Sequence, residues 1–290
     1  MSGTTYQAFE DFMESITITD YQKTSIVAGR TSGVNADLKE AFPSTSDLPF
    51  IEAKLMGSAA KGTIVRPIDD VDVLAIFSNE NKAWQNSYQY DSQAFIYRIR
   101  KAYDGFHAVQ VGTRGQAIRV FYQNGGHVDV APVFIQADGV YHLPSGAEGW
   151  ILTAPFKANE WFLKKHAELG YNLATLVRLL KKWNQAHSKR LKSFHLETMA
   201  AHSFSSLSSN RRTGLQKFFE WSGSYLDVSD PGGQSGSLSG YLTWSGKDEV
   251  RKSLAQASDR SLKALAAEEQ GDNDEAKRQW RIILGSSFPA

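Results

Sequence analysis

The stretch MGSAAKGTIVRPIDDVDVLAIF (56–77) places Gly57-Ser58 ahead of two carboxylates, Asp70 and Asp72, separated by a single valine. The apolar run that follows reads as a β-strand, in which residues two apart share a face. Both acids then project to one side, and Val71, Val73 and Ala75 point to the other, against covering helices. Carboxylates held together repel, and one rises in pKa unless a cation lies between them. Mg²⁺, with Mn²⁺ as its substitute, is the natural cation, because it prefers oxygen ligands and combines one or two carboxylates with substrate phosphates. A third acid, Asp129, stands in HVDVAP (127–132), flanked by valines on a second expected strand. If the two strands are neighbours, the acids converge, and two metal ions about 4 Å apart can activate a hydroxyl and stabilise a leaving pyrophosphate. Asp129 is then the residue best placed to hold the catalytic ion and help deprotonate the attacking hydroxyl.

Gly57-Ser58 fits the same chemistry. Glycine permits close backbone approach, exposed N–H groups at a helix start can hold phosphate oxygens, and the Ser58 hydroxyl adds a donor for a triphosphate. A serine at a helix start also serves as a plain cap. Neither Gly-Ser nor Asp-x-Asp is specific alone. Asp70 following Ser58 by twelve positions, with a third acid inside a strand, is much more so. Asp69 reads as a turn or capping residue. His127 and His195 read as packing or surface residues, since no His-x-x-x-His spacing supports a zinc site. Glu197 reads as a structural hydrogen-bonding group, and Trp183 and Trp280 as core.

The elements that must position these residues are legible in outline. Phe9, Phe12 and Ile16 recur at helical spacing, and Tyr21, Ile26, Val34, Leu38 and Phe42 suggest more helix before Pro43 stops it. From about 50 to 152 short β-type segments take over: 51–56, 71–77, 107–111, 117–122, 127–132 and 133–136. A helix over about 91–103 interrupts them. After Pro155 the helical period returns, with Leu173, Leu176, Val177, Leu180 and Asn184 on one face. Further helices are expected around 195–205, 211–222, 246–270 and 273–284. The segment 227–240, rich in Gly, Ser and Asp, should be a loop, either a lid or a connector. The expectation is an α+β protein with two parts: N-terminal helices plus a mixed-sheet catalytic lobe over 1–155, and a helical C-terminal lobe over 156–290.

Taken together, these residues resemble the DNA-polymerase-β-like nucleotidyltransferase superfamily, and particularly the bacterial relatives of cyclic GMP–AMP synthase, the CD-NTases. Gly62-Thr63, Arg66-Pro67, KKWN (181–184), KSFHLE (192–197), Asp230-Pro231 and QWRIILGSSFP near the end extend the likeness over about 55–290. Asp69 departs from a position where the family often has serine. The resemblance implies synthesis of a cyclic di- or trinucleotide second messenger from NTPs, ATP or GTP foremost, in antiphage signalling, with a regulatory protein of an antiphage operon as a candidate partner. It also implies that Lys181 contacts the triphosphate, with Ser193 as its companion. On a helical wheel Lys181 falls at the edge of the apolar face and Lys182 nearly opposite it. No acid occurs between Glu168 and Glu197, whereas Arg178, Lys181, Lys182, Lys189, Arg190 and Lys192 do, which suits a lobe that faces polyphosphate.

Composition narrows the alternatives. A net charge of +1 over 290 residues supplies no chain-wide footprint for a long nucleic-acid template. Zero cysteines exclude disulfides and thiolate metal sites. No signal peptide or run of roughly 18–20 apolar residues is visible, so a cytoplasmic protein with no membrane contact is expected. Two other functions keep the same acids: transfer of a nucleotide to RNA or protein, and an inactive nucleotide-binding scaffold.

Overall fold

The computed structural model describes residues 3–104, 108–112, 115–123, 125–137, 139–146 and 149–290. His107, expected at a strand start, lies outside them. Two helices open the chain, α1 (Thr5–Ile16) and α2 (Ala28–Ala41), the second entered through one wider-wound segment at Gln22–Val27. Strand β1 (Phe50–Leu55) leads through the four-residue α3 (Gly57–Ala60) to β2 (Asp70–Phe77). Helix α4 (Ser92–Arg100) then precedes β3 (Ala108–Val111), β4 (Ile118–Phe121), β5 (His127–Ala137), β6 (Val140–Pro144) and β7 (Trp150–Thr153).

These seven strands form one mixed sheet. Its main path runs β1-β2-β5-β4-β3, with β6 and β7 continuing from the far half of β5. The β2–β5 pair is parallel and the others are antiparallel. Where two strands were expected at 127–132 and 133–136, one runs unbroken through Pro132. The reason is positional. Val130 is the last β5 residue paired with β4 and Phe134 the first paired with β6, so Pro132 falls where β5 has only β2 as a neighbour. A missing N–H is tolerated there as it is at a sheet edge.

One face of the sheet is covered as the alternation requires. Val71, Val73, Ala75 and Phe77 pack with Val34 and Leu38 of α2 and Phe95, Ile96 and Ile99 of α4. The opposite face changes character along its length. Leu74, Ile76, Ala131, Val133 and Tyr141 form a small apolar cluster, while the preceding residues on the same face are the acids.

From Pro155 the chain is helical: α5 (Pro155–Glu168), α6 (Leu173–Ala186), α7 (Ser193–His202), α8 (Arg211–Trp221), α9 (Trp244–Glu269) and α10 (Asn273–Leu284). Their shared core includes Leu180, Trp183, Leu196, Phe218 and Trp280, and it also takes in Phe9 and Phe12 of α1. Phe9 meets Trp280 edge-on with ring centroids 5.2 Å apart, and Phe288 closes over both phenylalanines of α1. The architecture is thus α+β, a mixed sheet with covering helices followed by a helical C-terminal part. No helix among the described residues is long and apolar enough to cross a membrane.

Candidate active site

The acids are brought together by register. Asp70 pairs with His127, and Asp72 with Asp129, across the parallel β2–β5 ladder. All four side chains therefore belong to one face, at the starts of the two strands. Neighbouring strands of a sheet lie only about 5 Å apart. Ligand atoms of Asp70, His127 and Asp129 all lie within 4.8 Å of one another.

Asp72 sits deepest. Its Oδ2 lies where a side chain on residue 57 would go: a Cβ built there would be 2.2 Å away. Gly57 also has φ +65°, so glycine is required at this position on both counts. Burial first, then the negative charges of Asp70 and Asp129, push the Asp72 carboxyl up to about 7, against the pull of Lys181 and Lys61. A carboxylate so disfavoured as an anion is one that a bound cation would relieve.

Asp129 already has one cationic partner. Arg119, directly opposite on β4, donates from Nε and Nη2 to the two carboxylate oxygens at 2.8 and 2.9 Å. The contact raises the Arg119 pKa, with Asp70 and Asp72 adding smaller contributions. Sequence reasoning passed over Arg119. Its signal was a lone cation alternating with Ile118 and Val120 in a short strand, interpretable only once β4 is known to adjoin β5. His127 was read as packing or surface, yet its Nε2 is 3.8 Å from Asp129 Oδ1 and buried without a hydrogen bond.

Ser58, Asp70, Lys181 and Ser193 line one cleft of about 360 Å³, in company with Asp69, Lys189 and Lys192. That volume lies in the range of small-molecule sites. The wall supplied by α6 and the start of α7 is cationic and the floor acidic. Gly57 opens instead onto an adjoining hollow with Lys61, Asn159, Phe194 and Asp230.

Lys181 is not a free cation in the cleft. Its Nζ lies 2.7 Å from Glu197 Oε1 and donates to the Thr63 carbonyl and hydroxyl at 3.0 and 3.1 Å. Lys61 Nζ reaches the other Glu197 oxygen at 2.5 Å, and the Thr63 hydroxyl donates to Oε1 at 2.7 Å. All three charged side chains are almost wholly buried. Burial works to raise the Glu197 pKa, but the two lysines outweigh it and hold the carboxyl below its usual range. The triad ties the turn after α3 to α6 and α7, and two cations on one carboxylate leave a net positive charge beside Asp72. Lys182 points away from Lys181 and donates to the Arg66 carbonyl at 2.7 Å. His195, held between the Tyr241 hydroxyl and the Leu226 carbonyl, is a packed structural residue.

The segment 227–240 is an ordered turn. Asp230 accepts hydrogen bonds from the backbone of Gly232, Gln234 and Ser235.

Residues 3–166 match the Second Messenger Oligonucleotide or Dinucleotide Synthetase domain. Along its full length the chain is 22% identical to a protein named a probable cyclic nucleotide synthase in Bacillus cereus strain VD146, covering 99% of that relative. It is 23% identical to a cyclic AMP-AMP-AMP synthase of an Acinetobacter species, over 99% of this chain and 86% of the relative. Among solved structures, E. coli MS115-1 CdnC with ATP superimposes with a TM-score of 0.80 at 20% identity, over 98% of both chains. The same protein in complex with a HORMA protein gives 0.77 at 21% identity, over 99% of this chain and 98% of CdnC.

Proposed function

The chain belongs to the second messenger oligonucleotide or dinucleotide synthetase family, the CD-NTases that its motifs resemble, and from that premise we propose how this cyclic nucleotide synthase works. The observation that carries the reading is the alignment of Asp70, Asp72 and Asp129 on one face of adjacent parallel strands, with Asp70 alone of the three lining the cleft that bears Lys181, Lys189 and Lys192. These three carboxylates are the residues we assign to hold divalent metal, Mg²⁺ or Mn²⁺. The raised Asp72 carboxyl supports a cation there, and the bidentate Arg119 contact leaves carboxylate lone pairs on Asp129 for one. When bound, such ions supply Lewis-acid stabilisation of charge on the reacting phosphate and the leaving pyrophosphate.

The chain's own residues would do the rest. Ser58 and the backbone following Gly57 offer donors to the triphosphate of one NTP. Lys181, fixed by Glu197 and Thr63, sets a positive field at the cleft wall, and the exposed Ser193 hydroxyl extends the donor set. A ribose hydroxyl of a second NTP attacks the α-phosphorus, forming one P–O bond as the bond to pyrophosphate breaks. Asp129 takes the hydroxyl proton. Further transfers within the same cleft, each releasing one pyrophosphate, lengthen the linear intermediate and close the ring: two transfers in all for a dinucleotide, three for a trinucleotide. Holding both reactants in line and stabilising the charge on the phosphate together supply most of the acceleration.

ATP is the first substrate to test, because two of the relatives or structures above carry ATP or AMP in their names. The CdnC–HORMA complex supports a regulatory protein partner, and an antiphage role accords with the family. We assign the catalytic lobe to 1–155 and the helical lobe to 156–290, with α1 bridging them through its contacts to Trp280 and Phe288. A cytoplasmic site of action matches the NTP substrates.

The test is incubation of the purified chain with ATP, GTP, CTP and UTP, singly and mixed, with Mg²⁺ or Mn²⁺. A phosphatase-resistant cyclic product identified by mass spectrometry supports the proposal. Nucleotide transferred only to added RNA or protein, with no cyclic product, contradicts it.

A further inference from the structure

We infer that His127 is a nitrogen ligand to the metal at Asp70 and Asp129, making this position a mixed N/O site that favours Mn²⁺ and similar transition ions over Mg²⁺. The inference rests on the acid cluster proposed above as the metal site, and adds to it a ligand and a preference among ions.

Three observations carry it. First, the backbone fixes His127 in place. It pairs with Asp70 on one side and Phe121 on the other, its N–H donates to the Asp69 carbonyl at 3.3 Å, and its own carbonyl accepts from the Arg30 guanidinium. Second, its Nε2 is buried yet makes no hydrogen bond, although a buried imidazole nitrogen ordinarily finds a partner. Third, Nε2 faces the acids, 3.8 Å from Asp129 Oδ1, in the group whose ligand atoms all fall within 4.8 Å. Two ligands sharing one ion at about 2.1 Å stand between about 3.0 and 4.2 Å apart, according to the angle between them. The 3.8 Å separation already lies in that window, and the widest pair in the group needs to close by less than an ångström.

The consequence is chemical selectivity. Mg²⁺, Ca²⁺ and Mn²⁺ all accept oxygen shells, but Mn²⁺ belongs to the transition series whose affinity for a given N/O site rises through Co²⁺, so an added imidazole separates it from Mg²⁺. The neutral imidazole is the ligating form. Arg119 stays compatible with this arrangement, since each Asp129 oxygen has a lone pair beyond the one that accepts from the guanidinium.

The test uses the full chain with Mn²⁺ alone, prepared with ordinary and with ¹⁵N-labelled histidine. Pulsed electron paramagnetic resonance should show nitrogen modulation from the bound ion that switches from ¹⁴N to ¹⁵N on labelling and disappears in His127→Gln. In the same variant Mn²⁺ affinity should fall about tenfold or more while Mg²⁺ affinity changes less than about twofold. The labelled wild-type measurement needs no variant and stands even if His127→Gln folds poorly. Bound Mn²⁺ that depends on Asp70 and Asp129 but shows no histidine modulation overturns the ligand role and leaves the acid site intact. Modulation that persists in His127→Gln overturns it equally. Mn²⁺ binding that is indifferent to both Asp70→Asn and Asp129→Asn removes the acid site itself.

Discussion

Gly57 and Asp72 occupy the same space: the Cβ that any other residue would carry at position 57 lies 2.2 Å from Asp72 Oδ2. The Gly-Ser turn and the Asp-x-Asp strand are therefore one fitted unit, closed by the Met56 N–H donating to the Asp72 carbonyl at 2.9 Å.

Gly57→Ala should strain the left-handed backbone and displace the Asp72 carboxylate. A stability loss of about 1–3 kcal/mol is expected, with activity reduced about a hundredfold or more. Denaturant melts and product formation check both. In the Asp72→Ala background the same glycine substitution should cost less stability, because its clash partner is gone; an equal cost would mean that backbone strain alone is responsible.

The Asp72 carboxyl supplies a pH signature. Its folded value of about 7 lies above the ordinary value of 3.8, so the folded protein holds this proton more tightly than the unfolded chain does. The stability it confers is greatest in acid and is lost as pH rises from about 4 through 7. In metal-free protein Asp72→Asn should therefore gain on wild type as pH increases over that window and level off above it, by an amount up to about 4 kcal/mol. Urea melts at pH 5 and pH 8 measure this. Adding Mg²⁺ should flatten the wild-type dependence, since the ion replaces the proton.

Glu197 supports a prediction about stability rather than chemistry. Glu197→Gln leaves Lys61 and Lys181 buried without the carboxylate they share, which should cost about 3–5 kcal/mol. Lys61→Met combined with it should recover part of that loss, because one of the orphaned charges is then removed. Chemical denaturation of the single and double variants tests the coupling. Additive losses would contradict it.

How much of this was legible beforehand depended on whether the information was local. Strand alternation put Asp70 and Asp72 on one face, and the 3.6-residue period located α6, α9 and α10 to within a few residues. The adjacency of Asp129 was stated only as a condition, because nothing local says which strands pair. The same limit hid Arg119 and His127, whose meaning arises wholly from the β5 register. Strands β6 and β7 were missed because neither alternates apolar with polar residues, VYHLP ending in a proline and WILT opening with three apolar residues, and Pro132 was mistaken for a strand end because the gap between β4 and β6 is a property of the sheet. Lys181 followed from the family resemblance, with its wheel position in support, but its burial against Glu197 involves a partner on another helix.

Arg119 should act through Asp129. Arg119→Lys removes the two-point grip and leaves a single mobile donor, so kcat should fall about tenfold with KM for NTP little changed. Steady-state pyrophosphate release separates the two parameters. A change confined to KM would place Arg119 on the substrate instead.

The most direct test of the central claim is pyrophosphate release by Asp70→Asn/Asp72→Asn beside wild type, with saturating NTPs and Mg²⁺ and with folding checked by melting. The account predicts a folded protein, at least as stable as wild type without metal, whose turnover and cyclic product are abolished. A double variant that makes the product at the wild-type rate would contradict the assignment of these carboxylates as the catalytic centre.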